Sequence, residues 1–222
     1  MNILEEQIKI SRNITLEMLT DRGFNTSNVV SHIPEILFIK LWASFSNESN
    51  VFDFECENST GDRIYVKYIR NHIKKKTDKT TSYINFKKIH EKLKNINDLL
   101  FNDSIIYIIC DTEGEIIDEN KKILELKTNK NVEIFDIKRL LLNITKHVIV
   151  PKHEKITILE KEILKKSLQI NSIYKLPTIM MFDPVARYYN LKQGDVVKIT
   201  RNSKSSGKHI TYRVCIENED IL

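Results

Sequence analysis

The chain has 222 residues, 41% apolar and 29% charged, with 35 basic against 30 acidic side chains and a formal net charge of +5. That is an ordinary globular composition, long enough for one large or two small cores, and no apolar run approaches the roughly 20 residues a membrane-spanning helix needs. The three cysteines, Cys56, Cys110 and Cys215, are odd in number and far apart. This argues against a disulfide framework or clustered zinc site and leaves them as small buried hydrophobes in a reducing compartment.

The acidic opening, Met1 to Glu6, lacks the basic region of a secretory leader, so none is expected. Ile3, Ile10, Ile14 and Met18 recur at helical spacing with Leu4 and Ile8 beside them. A first helix is expected to about Arg22, with Gly23 as its C-terminal cap. Ile36 to Phe45 is strongly apolar, holds the only tryptophan, Trp42, and fits helix or strand. Val51 to Cys56 and Ile64 to Tyr68 alternate around the turn chemistry of Asn58 to Asp62, which predicts a β-hairpin. A lysine-rich loop, 71–81, precedes a helix with Phe86, Ile89, Leu93, Ile96 and Leu100 on one face. Ile105 to Cys110 reads as a buried strand and Val132 to Phe135 as another, followed by a short helix with Ile137, Leu140 and Leu141. Strands alternating with helices imply an α/β domain.

A composition shift near Thr145 is read as a boundary between domains 1–145 and 146–222. Up to Leu142 there are 21 basic and 22 acidic residues, and from Asn143 onward 14 and 8, so the front carries −1 and the tail +6. In the second domain Thr157 and Glu160 form a capping box, with Ile163, Leu164 and Leu168 as the expected apolar face. Asp183-Pro184 opens another helix with an acceptor at the cap and a proline whose missing N–H needs no partner there. Val185 and Ala186 are expected in the core. Asn190 is expected to end that helix in the left-handed conformation. Lys192 to Asp195 then turns into a strand from Val196, and Ser203 to Gly207 turns back into a strand ending at Ile216. This is a small α+β unit.

Chemistry leaves few candidates. Polymerase-type metal catalysis needs closely spaced carboxylates, and no D-x-D-x-D arrangement occurs. Asp111 after a buried strand, with Glu125 and Lys127 further on, is the one enzymatic alternative: spaced carboxylates and a lysine of the kind that hold a metal and activate water. His147 and His153 stand six apart, a spacing unsuited to a shared metal on one element. No cofactor, metal or small-molecule substrate is expected. The run from Arg63 to Lys94 holds eleven basic residues against Asp78 and Glu91. Arg70, Lys74, Lys75, Lys76, Lys79, Lys87 and Lys88 are therefore candidates for tracking phosphates of double-stranded DNA without sequence preference, against the alternative of a solvated face.

Three blocks in the tail carry a resemblance: Asp183-Pro184-Val185-Ala186-Arg187-Tyr188, Leu191 to Ile199 with Gly194, and Ser203 to Arg213 with Gly207, Tyr212 and Arg213. Together with Asn143-Ile144-Thr145 and Val150-Pro151-Lys152-His153, they resemble the fifth common subunit of nuclear-type DNA-directed RNA polymerases, a family with archaeal and eukaryotic forms. Glu17 to Leu19 and Asp21 to Phe24 are similar to the opening helix of the longer, eukaryotic form. Asn190 replaces the usual glycine, and Lys192-Gln193 departs from the usual wording before Gly194.

The resemblance implies a non-catalytic polymerase subunit. Its C-terminal assembly domain would dock on the largest subunit, and its N-terminal mixed-sheet domain, restriction-endonuclease-like in fold, would form part of a lower jaw beside downstream DNA. Carried onto this sequence, Asp183, Arg187, Tyr188, Arg201, Tyr212 and Arg213 are the candidate docking residues; helix capping and core packing are the competing accounts for Asp183, Tyr188 and Tyr212. The resemblance further implies an intracellular site of action, the nucleus if cellular, or host cytoplasm or virion if virus-encoded, an origin that the Asn, Ile and Lys bias also suits. A stand-alone nucleic-acid-binding or scaffold protein carrying the same C-terminal module is the other reading.

Overall fold

A computed structural model describes residues 3–30, 33–45, 51–70, 104–110, 132–203 and 207–217. The chain divides into two compact units, 1–142 and 143–222, against the expected 145/146 boundary. The predicted loop at 71–81, the helix at 86–100 and the candidates Lys74, Lys75, Lys76, Lys79, Lys87, Lys88, Asp111, Glu125 and Lys127 lie outside the described residues.

The first unit opens with helix α1 (Ile3–Asp21), strand β1 (Phe24–Asn25) and helix α2 (Glu35–Ala43). Strands β2 (Phe54–Asn58), β3 (Arg63–Arg70), β4 (Ser104–Cys110) and β5 (Val132–Asp136) follow. They form one sheet in sequence order, antiparallel from β1 to β3 and parallel from β3 to β5. The change of direction explains two sequence patterns. β2 alternates because only one of its faces is covered, whereas β4, between two parallel neighbours, is apolar and buried from Ile105 to Cys110.

The predicted hairpin forms. Asn58 Oδ1 accepts from the Thr60 and Asp62 amides, both at 2.9 Å, and its amide donates to Asp62 Oδ2 at 2.8 Å. The apolar run from Ile36 resolves as helix α2, which ends at Ala43 and is held by Phe38, packed against Phe52 at 5.1 Å between ring centroids. The predicted short helix after β5 is a 3-10 turn over Ile137–Leu140, with Asp136 as its cap.

The buried face of α1 differs from expectation. It runs through Leu4, Ile8, Ser11, Thr15, Met18 and Leu19, while Ile3 and Ile10 are exposed. Ser11 and Thr15 can occupy the core because each donates to the preceding turn, Ser11 Oγ to Ile8 O at 3.0 Å and Thr15 Oγ1 to Ser11 O at 2.7 Å. These self-satisfied hydroxyls rotate the buried stripe away from Ile3 and Ile10.

The second unit contains β6 (Lys152–Lys155), α3 (Ile158–Ser167), β7 (Thr178–Met180), α4 (Pro184–Tyr188), β8 (Val196–Ser203) and β9 (Gly207–Ile216). Its sheet order is β6-β8-β9-β7, with β7 parallel to β9 and the other pairs antiparallel. Leu164 of α3 packs with Ile156, Leu176, Val196, Val214 and Ile216. Ala186 of α4 packs with Ile179, Leu191, Val197, Ile199 and Cys215. Val196 and Val214 belong to the first cluster and Val197 and Cys215 to the second, so the two helices cover opposite faces of one sheet.

Candidate functional site

The conspicuous sequence words of the second unit are first of all folding devices. Thr157 and Glu160 make the predicted capping box, with Thr157 N donating to Glu160 Oε2 at 2.7 Å and Glu160 N donating to Thr157 Oγ1 at 3.2 Å. Asp183 accepts from the Val185 amide at 2.8 Å, and Pro184 occupies the first helical turn. Asn190 takes φ 48°, the left-handed conformation expected of it, and the chain closes with Leu191 N donating to Ala186 O at 2.9 Å.

Gly194 has φ 82°, and a Cβ there would lie 3.2 Å from the Tyr174 hydroxyl. Both conformation and space therefore call for glycine. Asp195 follows it as a brace that sequence reading missed. Its carboxylate accepts from Lys155 at 2.6 Å, Lys161 at 3.3 Å and the Lys192 amide at 2.9 Å. Burial alone would raise the Asp195 pKa, but these donors outweigh it and hold the group below the ordinary aspartate value.

The six docking candidates do not share one surface. Tyr188 is 5% exposed, and its hydroxyl accepts from Asn143 Nδ2 at 3.1 Å. Its side chain belongs to the unit's own interior, together with Asn143, which also caps the 3-10 turn Ile144–Lys146. Asp183 is occupied as a cap. Tyr212 is half-buried against the α3-side cluster, which puts it across the sheet from its neighbour Arg213. Val185 and Ala186 are buried, as expected.

The arginines behave differently. Arg201 is opposite His209 and Arg213 opposite Val197 in the β8–β9 ladder. Successive residues of a strand alternate faces, so Arg201, His209, Thr211 and Arg213 lie on the Val197 face, the side covered by α4. Arg201, His209 and Arg213 are exposed. Arg213 Nη1 donates to Thr178 O at 3.1 Å, which holds the guanidinium over the sheet edge. Arg187 is half-buried on α4. The ladder from Arg201↔His209 to Ser203↔Gly207 continues past the last β6 and β7 partners, so Arg201 and His209 decorate a hairpin tip that projects from its sheet, while Arg213, opposite Val197, lies within the sheet.

In the first unit Arg70, the described member of the DNA-proximal set, ends β3 with its guanidinium carbon 4.8 Å from the Trp42 ring centroid. A second feature that sequence reading missed is the ion pair of Lys67 with Asp53, at 2.9 Å with both side chains 3% exposed. Asp53 also accepts from the Tyr65 hydroxyl at 2.8 Å and the Tyr68 amide at 3.1 Å. Burial raises the Asp53 pKa, with Lys67, Tyr65 and Tyr68 opposing. The hairpin register could have revealed this pair: from the Asn58–Asp62 turn, Phe54 pairs with Val66 and the next step brings Asp53 to Lys67. Among the described residues no group of three His, Cys, Asp or Glu side chains is placed to hold a metal ion.

The described residues make a two-unit α/β protein whose second unit exposes Arg201 and Arg213 on one face of its β8–β9 ladder. Comparison with known proteins gives the family. The profile described as RNA polymerase Rpb5, C-terminal domain, matches residues 142–215. The chain is 31% identical over 204 residues to an Arabidopsis thaliana protein named DNA-directed RNA polymerases IV and V subunit 5B, covering 92% of this chain and 87% of that one. It is 32% identical over 206 residues to the Dictyostelium discoideum protein named DNA-directed RNA polymerases I, II, and III subunit rpabc1, covering 92% and 95%. The similar Caenorhabditis elegans protein, DNA-directed RNA polymerases I, II, and III subunit RPABC1, is 44% identical over 77 residues, 35% of this chain and 36% of that one. The chain belongs to the Rpb5 family of DNA-directed RNA polymerase subunits, and its work is transcription.

Proposed function

We propose that the chain is a non-catalytic subunit that anchors to the largest subunit of its polymerase through the arginine-bearing face of the second unit. Arg201 and Arg213 make the contact, His209 lies directly opposite Arg201 on the same face, and Arg187 supports it from α4. Planar guanidinium groups suit a partner's carboxylates and carbonyl oxygens because each offers several donors in a fixed fork. Asp183 and Tyr188 serve the docking from within, by fixing the start and the packing of α4, and Tyr212 serves it from the opposite side of the sheet. The single observation that carries this reading is the exposed cationic hairpin on a unit whose other signature residues are accounted for by folding.

The first unit, with its mixed five-stranded sheet, is read as the restriction-endonuclease-like jaw near downstream DNA. Arg70, Lys74, Lys75, Lys76, Lys79, Lys87 and Lys88 are its phosphate-facing side chains. The site of action is wherever that polymerase works.

Two measurements test the proposal. A tagged chain should recover the two largest polymerase subunits in stoichiometric amount, and recovery of the chain alone would refute it. With Lys74, Lys75 and Lys76 changed to alanine, the assembled enzyme should bind duplex DNA with a shallower salt dependence, by about 0.9 in the log–log slope for each phosphate contact removed. An unchanged slope would remove the DNA arm of the proposal.

A further inference from the structure

The first unit contains a groove of about 960 Å³, open to solvent, between the end of α1, the segment 23–30 and strand β2. That volume is within the range of about 300–1,000 Å³ typical of ligand clefts. Arg12, on the buried face of α1 and only 7% exposed, lies against it. Its Nε donates to Val30 O at 3.1 Å and its Nη1 to Phe52 O at 2.8 Å, while the guanidinium carbon stands 4.6 Å from the Phe54 ring centroid. Neutral carbonyls and a ring face thus surround a full positive charge, and among the described residues no carboxylate forms an ion pair with it. Burial lowers the Arg12 pKa, and only Tyr68, Cys56 and Asp53 oppose that from a distance. A desolvated guanidinium with donors to spare is a strong anchor for an anion.

The groove wall narrows the choice of anion. β1 pairs with β2 only at Phe24↔Asn58 and Asn25↔Glu57, so among the described residues no strand lies beside Phe54 to Cys56 on that edge. An extended peptide can add itself to such an edge. Glu55 and Glu57 are exposed at the rim and would repel the successive phosphates of a nucleic acid, while Val29, Val30 and Phe54 offer apolar contact. We infer that this groove binds an extended peptide segment of a partner protein, with one acidic side chain of that segment directed onto Arg12. The inference does not depend on how the second unit docks.

The test uses the full chain labelled with ¹⁵N-arginine, observed at the Arg12 Nε–Hε resonance. The probes are the peptide acetyl-Val-Glu-Val-Thr-amide, its glutamine counterpart, and inorganic phosphate. The glutamate peptide should shift the Arg12 resonance saturably and the glutamine peptide should bind about tenfold or more weakly. Asn28→Glu, which adds an acid at an exposed position of the rim, should weaken the glutamate peptide by about the same factor without altering the melting temperature. Equal binding of the two peptides, an Arg12 shift produced equally well by phosphate, or indifference to Asn28→Glu would each overturn the inference. Asn28→Glu leaves the buried arginine in place, so the test needs no variant at Arg12 itself.

Discussion

The two units of this chain are held together by different kinds of information. In the second, nearly every element begins or ends on a local device: a capping box at Thr157, an aspartate–proline start at Asp183, a left-handed asparagine at 190, and a glycine at 194 against Tyr174. In the first, the decisive polar contacts span long stretches of sequence. Arg22 meets Glu133 through two bonds of 2.8 and 2.9 Å across 111 residues, and Arg12 reaches the Phe52 carbonyl across 40. Local devices act singly and cost modest amounts when lost. A buried charge that loses its partner costs far more.

The largest effect is therefore expected in the first unit. Lys67→Met should leave Asp53 buried without its counter-ion and destabilise the unit by about 3–5 kcal/mol, read from urea unfolding. Replacing both partners, as Asp53→Asn with Lys67→Met, should recover a large part of that loss. A small effect of Lys67→Met alone would erase the contrast between the units.

Gly194→Ala should cost about 2 kcal/mol, because alanine disfavours the left-handed region by about 1–2 kcal/mol and its Cβ would crowd the Tyr174 hydroxyl. Asp195→Asn should cost about 1.5 kcal/mol near neutral pH, the scale of hydrogen bonds to a charged, partly exposed group. The pH dependence of Asp195 has a defined sign. Its folded pKa is lowered, so its stabilisation is present above the unfolded aspartate value of 3.8 and disappears as pH falls from there through the folded value. Acid unfolding of the wild type should thus be steeper below about pH 4 than that of Asp195→Asn; parallel curves would contradict the brace. Thr157→Ala, which removes one half of an exposed capping box, should cost about 1 kcal/mol, seen as a small drop in melting temperature.

The same contrast explains what the sequence could convey. The Asn58–Asp62 turn, the buried run of β4, the Asp183-Pro184 start and the positive φ of Asn190 each depend on residues close in the chain, and each was legible. The buried face of α1 was misplaced because Ser11 and Thr15 look polar in sequence yet satisfy themselves on the preceding turn. In α3 the expected apolar face contains one buried member, Leu164, while Ile163 and Leu168 are 59% and 48% exposed. Apolar spacing identified the helix, but how much of it the sheet covers is set by tertiary packing. The docking candidates divided for a similar reason. Tyr188 and Arg187 are neighbours, but only the fold shows that one is interior, and only the β8–β9 register puts Tyr212 and Arg213 on opposite faces.

Assembly through the arginine face of the second unit is best tested by charge reversal on the two sides of its sheet. Arg201→Glu with Arg213→Glu acts on the α4 side, and Lys166→Glu on exposed α3 is the control. Each full-length variant would be tagged and co-purified with the largest polymerase subunit, alongside its melting temperature. The double arginine variant should lose the large subunit while keeping its melting temperature, and Lys166→Glu should retain both. Equal recovery by the two variants, or loss only with Lys166→Glu, would contradict docking through this face.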